Sequence, residues 1–218
     1  MILDARESST RLPRHSMYRS IMLSKFSDRT GSVLLGAAGG AAAYLVGLLV
    51  TFVTAGIAAA SLSFDGPLSG TAPGWKTQLW VFYDAHFVGT QTASVFGPDG
   101  TLIGGGELFN TIDLLGVEYL YAVPILVLVA AGAVVASVAG ASDPYDGLRA
   151  GMGVTAGYVA MVVLGLLAAV HLGTGPSPLR AVVIAGIVYP VAFGSLGGFI
   201  VGYRNRETSD EWSDPVEA

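Results

Sequence analysis

The stretch TGSVLLGAAGGAAAYLVGLLVTFVTAGIAAASLSF, residues 30–64, runs for 35 positions without one Asp, Glu, Lys or Arg. A bilayer hydrocarbon core of about 30 Å needs roughly 20 apolar residues in a helix, and a charge at its centre costs a few kcal/mol or more. A stretch of this length and composition reads as a membrane span. Three more uncharged stretches follow, at residues 119–142, 150–179 and 181–203. The expected fold is therefore an all-α membrane protein, a four-helix transmembrane bundle with spans at about 33–60, 119–141, 150–172 and 180–203.

Composition agrees. With 218 residues, mean hydropathy +0.62 and 12% charged residues, the chain has too few polar groups to cover a soluble globule of its size. One membrane domain at 31–203 is expected, with a basic region at 1–30 before it and an acidic tail at 204–218 after it. The 16 acids outnumber 11 bases, of which only Lys25 and Lys76 are lysines. An acid-rich surface so poor in lysine suits a salt-rich medium that screens like-charge repulsion. The absence of Cys excludes disulfides, thiolate metal sites and cysteine nucleophiles.

Orientation follows from the bases. Arg6, Arg11, Arg14, Arg19, Lys25 and Arg29 precede the first span, and Arg149, Arg204 and Arg206 fall on the same side of a four-span chain, against Lys76 and Arg180 on the other. Nine against two predicts both termini cytoplasmic in a multi-pass cell-membrane protein. A signal peptide is disfavoured, although Ala58 and Ala60 precede Ser61 in a cleavage-like pattern, because the apolar run is nearly twice the length of a signal core. Met17, Tyr18, Ile21, Met22 and Phe26 recur at helical spacing, which fits an interfacial helix or an ordinary basic tail. Met1, Met17 and Met22 are alternative starts.

Small residues pattern the spans. Gly36 and Gly40, Gly153 and Gly157, Gly194 and Gly198, and Gly198 and Gly202 are each four apart, so each pair opens a notch on one helix face. Such notches serve either a dimer interface or packing within one bundle, and the second is the expectation in a glycine-rich chain. Pro124 and Pro190 fall inside spans two and four, where Pro190, next to Tyr189, predicts a bend. No carboxylate or basic side chain lies within a span. His171, at the end of span three, is the nearest titratable group, and Tyr44, Thr51, Thr54, Thr155, Tyr158, Tyr189 and Ser195 supply only hydroxyls.

The segment 61–118 between spans one and two is too long for a simple connector and should carry structure of its own. Pro73 opens a helix and Gly89 stops it, with Leu79, Trp80, Tyr83 and Phe87 on one face, as in a helix lying on the outer interface or across the bundle mouth. Thr92 to Phe96, the turn Gly97-Pro-Asp-Gly100, and Thr101 to Ile103 predict a short hairpin. Residues 107–115 predict a further turn or two of helix. Within Trp80-Val-Phe-Tyr-Asp84-Ala-His86-Phe-Val88, Asp84 and His86 diverge by about 200° on a helix and cannot share a metal. They are expected to face water or cap backbone, with a metal or acid/base pair recruiting Glu107 as the lesser reading. Trp80, Tyr83, Asp84, His86 and Phe87 form the candidate functional surface.

This W-x-F-Y-x-A-H-F-V run, with the basic N-terminus and four spans, resembles a group of uncharacterised integral membrane proteins of halophilic archaea, some loosely labelled as transporters. The resemblance implies no activity and transfers no functional residue. No catalytic, cofactor or metal residue is assigned and no nucleic-acid partner is expected. The partners expected are the lipid bilayer and another membrane protein or a second copy. A non-catalytic scaffold or partner subunit is the first reading, and a small transporter or channel, as a homodimer, is the alternative.

Overall fold

In the computed structural model, the backbone is described for residues 14–61 and 72–211, and side chains for 31–57 and 72–207. Four helices are long and apolar enough to cross a membrane: Gly31–Ile57, Glu118–Val138, Pro144–Ala169 and Pro178–Glu207. The first belongs to α1, Arg14–Ser61, a single helix that also takes in the 17–26 region read as an interfacial helix. Side chains there, and Met1 among the alternative starts, lie outside the described residues. The signal-peptide motif Ala58-Ala-Ala60-Ser61 likewise has no described side chains.

Span two consists of a 3₁₀ turn, Glu118–Tyr121, leading into α4, Ala122–Val138. Pro124 sits in the first turn of α4, where its missing N–H has no intrahelical carbonyl to lose, so it starts the helix rather than kinking it. Span three is α5, Pro144–Met152, and α6, Val154–Ala169, joined at Gly153. It begins earlier than the uncharged run because Asp143 caps it, accepting from Tyr145 N at 2.8 Å and Asp146 N at 3.0 Å, while Pro144 takes the first helical position. Residues 144–149, expected to lie between spans two and three, are thus helical, with Asp143 as their cap. Span four starts with α7, Pro178–Arg180, runs π-wound through Ala181–Val188 and Pro190–Gly194, and ends in α8, Ser195–Glu211. At the middle of this span the N–H of Tyr189 reaches back to Ile184, a five-residue step, and Pro190 follows directly. A wide turn is one way for a helix to accommodate a proline without a steric clash one turn back.

The paired glycines are consumed inside the bundle. A β-carbon built on Gly40 would overlap the carbonyl of Val154, and one on Gly157 would overlap that of Ala37, so α1 and α6 touch backbone to backbone. Gly36 faces Gly153 in the same seam. Gly194 meets Gly151 and Gly132, Gly198 meets Gly147, and Gly202 meets the carbonyl of Asp143, which lays α8 and the π-wound run against α4 and α5. These faces serve intramolecular packing.

The segment between spans one and two is folded over one end of the bundle. It contains α2, Gly74–Asp84, then β1, Thr90–Gln91, β2, Val95–Phe96, β3, Leu102–Gly104, β4, Leu108–Phe109, and α3, Thr111–Leu115. Strands β2 and β3 form the expected hairpin around Gly97-Pro-Asp-Gly100, with an irregular register between Val95 and Phe96. Strand β1 pairs antiparallel with β4 and with β5, Gly175–Pro176, so the turn between spans three and four is stitched to the same platform. Of the helix expected at 107–115, the first part is strand β4 and only α3 is helical. Asn110 accepts from Ile112 N at 2.9 Å to start α3, and Gly116, at φ +65°, ends it.

Candidate functional site

Helix α2 does not lie on a surface. Leu79 to Asp84 are all buried, and the helix enters the bundle alongside α6. Contacts along it fall in antiparallel order: Lys76 Nζ donates to Val170 O at 2.5 Å, Trp80 Nε1 to Ala169 O at 2.9 Å, Tyr83 OH to Val162 O at 2.5 Å, and His86 Nε2 meets Tyr158 OH at 2.7 Å. Twelve residues of helix separate Val170 from Tyr158, so the segment follows span three inward for roughly 18 Å at 1.5 Å per residue. It is an element inserted among the long helices, with protein around its buried half. Two of its contacts also complete α6, whose last carbonyls lack helical partners. Trp80 and Lys76 supply donors there, and the ammonium suits the negative helix end.

The expectation of a helix resting on the interface is corrected, and the reason is local. Val81, Phe82 and Ala85 fill the face opposite Leu79, Trp80 and Tyr83, so the run is apolar nearly all round, the signature of a buried helix. Phe82 packs edge-on against Tyr44 of α1 at 5.0 Å, and a β-carbon at Gly47 would press on the Phe82 ring. Tyr44 OH and Tyr83 OH lie 3.3 Å apart. Val81 and Ala85 join Ala55, Ile112 and Leu120 in a second apolar cluster.

Asp84 and His86 are both fully buried, which corrects the expectation that they face water, while the alternative of capping nearby backbone holds for His86, whose ring bonds the Phe82 carbonyl. They serve different neighbourhoods. One carboxylate oxygen of Asp84 accepts from the Thr111 amide at 2.7 Å and from the Thr111 and Thr90 hydroxyls, the last at 3.2 Å. It therefore ties the end of α2 to β1 and to the start of α3. Burial pushes its carboxyl up to about 6, against the pull of these donors. His86 sits just beyond the helix. The Phe82 carbonyl, 2.8 Å from Nδ1, can only accept, so Nδ1 carries the proton and Nε2 accepts the Tyr158 hydroxyl. Burial lowers His86 to about 4, which keeps the ring neutral. Tyr189, 5.0 Å away between ring centroids, closes the pocket from span four.

Phe87 alone of the five candidate residues is exposed, at 56%. Its φ of +59° is unusual for a bulky residue, and its ring stacks on Tyr121 at 4.4 Å and 4°. Tyr121 in turn donates to Asp113 at 2.9 Å and accepts from Asn110 at 2.6 Å, linking the tight turn to α3.

Glu107 is exposed on the strand side of the platform and does not join Asp84 or His86. Among the described residues no three His, Asp or Glu side chains gather as a metal site. His171 makes a backbone bridge with Thr174 in the turn after α6. Thr51 and Thr54 bond to carbonyls of their own helix, at 2.9 and 2.7 Å. Among the described residues the buried carboxylate and the buried imidazole are thus Asp84 and His86, both brought in by α2.

Four helices long and apolar enough to cross a membrane, with a short helix inserted among them and a small β platform, define the class, a membrane protein. The chain belongs to a family of unknown function, DUF7978, whose model matches residues 24–205. No curated protein and no solved structure matches it.

Proposed function

We propose that this protein is a non-catalytic membrane module that presents a rigid platform to another membrane protein. The observation that carries this reading is the β2–β3 hairpin, where Val95, Phe96, Leu102 and Ile103 are all 52–66% exposed. Four apolar side chains on a two-stranded ribbon are an interaction surface rather than a core. The platform beneath them is fixed by the β4-β1-β5 sheet and by the hydrogen bonds of Asp84, so the hairpin is displayed from a rigid base. The interior polar groups support the same reading, since Asp84 and both nitrogens of His86 are engaged by the protein itself. The distribution of bases supports cytoplasmic termini, which puts the hairpin outside the cell. The glycine faces first considered for a partner are occupied within the bundle and are not part of the proposal.

Photo-crosslinking residues placed singly at Phe96 and Ile103 in cells making the full chain test it. The expected result is one discrete protein adduct shared by both positions and absent from Leu34, an exposed residue of the first span. Adducts to lipid alone would contradict it.

A small transporter is the second reading, favoured by one observation: α2 carries a carboxylate and an imidazole into the bundle, as proton-coupled sites require. Proton flux driven by a solute gradient in liposomes of the purified protein, abolished by Asp84→Asn, would promote it.

A further inference from the structure

Two clefts meet on the seam between α1 and α4. One, of about 370 Å³, lies at the bundle end away from the hairpin and is walled by Ser32, Val33, Val135, Asp146 and Arg149. The other, of about 290 Å³, continues along the seam and is walled only by Gly, Ala and Val, among them Gly39, Ala42, Val46, Ala130 and Val134. Val135 borders both, so they form one trough that changes from polar to apolar along its length.

Its dimensions match one leaflet. The uncharged run of span one starts just after Arg29, which sets Ser32 near the bilayer edge, and Val46 lies about 21 Å further along α1 at 1.5 Å per residue. Half a bilayer with its headgroup region is about 20–22 Å, so the polar cleft falls at headgroup depth and the apolar one at chain depth. The second groove offers no hydrogen-bonding side chain anywhere along it, which suits a hydrocarbon chain. The charges at the mouth complete the match. Arg149 is exposed in the last turn of α5, its guanidinium over the Tyr145 ring at 5.7 Å, and offers hydrogen-bond donors suited to a phosphate. Asp146, one turn earlier, is an acceptor for a headgroup hydroxyl.

We propose that this trough is a phospholipid site, with a phosphodiester headgroup on Arg149 and Asp146 and one hydrocarbon chain laid along the α1–α4 seam. The site is independent of the hairpin.

The test is native mass spectrometry of the full-length protein in detergent, titrated with phosphatidylglycerol, with diacylglycerol, and with glycerol 3-phosphate. One phosphatidylglycerol per chain should be retained, about tenfold more tightly than either fragment, because each lacks half of the contacts. Arg149→Gln should weaken phosphatidylglycerol about tenfold and leave diacylglycerol unchanged. The double variant Ala42→Leu, Ala130→Leu, made at exposed positions, should weaken both lipids. Thermal unfolding in detergent without lipid confirms that each variant is folded, and a variant that fails is replaced by Arg149→Met or Val134→Phe. Equal retention by wild type and variants, or equal binding of phosphatidylglycerol and diacylglycerol, overturns the site, and binding of glycerol 3-phosphate as tight as the lipid reduces it to an anion site.

Discussion

Tyr158 donates its hydroxyl proton to Nε2 of His86 across 2.7 Å, joining the inserted segment to the middle of the third span. Both residues are buried, so neither group has water as an alternative partner. Tyr158→Phe should therefore cost about 1–3 kcal/mol, the penalty of leaving a buried nitrogen unsatisfied. In a double-mutant cycle with His86→Phe, thermal unfolding in detergent should show the two losses to be less than additive by 0.5 kcal/mol or more, on the order expected for contacting residues. Additive losses would mean that the pair does not interact.

Asp84 predicts a pH dependence. Burial holds its folded pKa at about 6, above the ordinary carboxylate value, so the folded state takes up a proton that the unfolded chain does not. With the folded pKa the higher of the two, its contribution to stability is fully present below the unfolded value and is lost as pH rises through 6. The unfolding free energy of the wild type, measured from pH 7.5 to 4.5, should rise relative to that of Asp84→Asn by an amount on the order of 1–2 kcal/mol. At pH 7.5 the Asn variant should still be the less stable protein, since one amide oxygen cannot replace a carboxylate that accepts from Thr90 and Thr111 together. Parallel pH profiles would contradict the assignment.

Glycine positions in α1 separate packing from propensity. Gly40→Ala should lower expression and melting temperature sharply, because its β-carbon meets the Val154 carbonyl and the helices must part. Gly56→Ala, in the same helix with nothing within 4 Å of the added carbon, should be neutral or slightly stabilising. A comparison of folded yield by size exclusion reads the difference directly.

Topology follows from single cysteines placed in this cysteine-free chain at Ser9, Thr101, Ser177 and Ser213. Thr101 and Ser177 should label from outside intact cells with an impermeant thiol reagent, and Ser9 and Ser213 only after permeabilisation. The structure makes Thr101 and Ser177 a matched pair, because β1 pairs with β5 next to Ser177 and the hairpin hangs from the same platform. Labelling of one without the other would contradict the fold as well as the orientation.

The spans were legible because uncharged runs such as residues 181–203 have one physical meaning, and the hairpin because Gly97-Pro-Asp-Gly100 has few other uses. The caps of α3 and α5 are local signals too, carried by Asn110 and Asp143. The placement of α2 was not legible from the face formed by Leu79, Trp80 and Tyr83, since a surface helix and an inserted one share that stripe. The available signal was the opposite face, where Val81, Phe82 and Ala85 leave little for water. The partners of Asp84 and His86 were beyond reach, because Thr111 and Tyr158 lie 27 and 72 residues away and nothing local marks them as a pair. Glycine spacing announced close packing at Gly36, Gly40, Gly194 and Gly198 but not which helix would fill each notch.

The insertion of α2 underlies the rigid platform, and cysteine accessibility measures it most directly. Single cysteines at Trp75, Phe82, Ala85 and Phe87, in the otherwise cysteine-free protein in native membranes, would be reacted with a small water-soluble maleimide. Trp75→Cys and Phe87→Cys, at exposed positions, should react readily, while Phe82→Cys and Ala85→Cys should stay unreacted until the protein is denatured. Rapid labelling at both Phe82 and Ala85 in the folded protein would show α2 to lie in water and would contradict its insertion into the bundle.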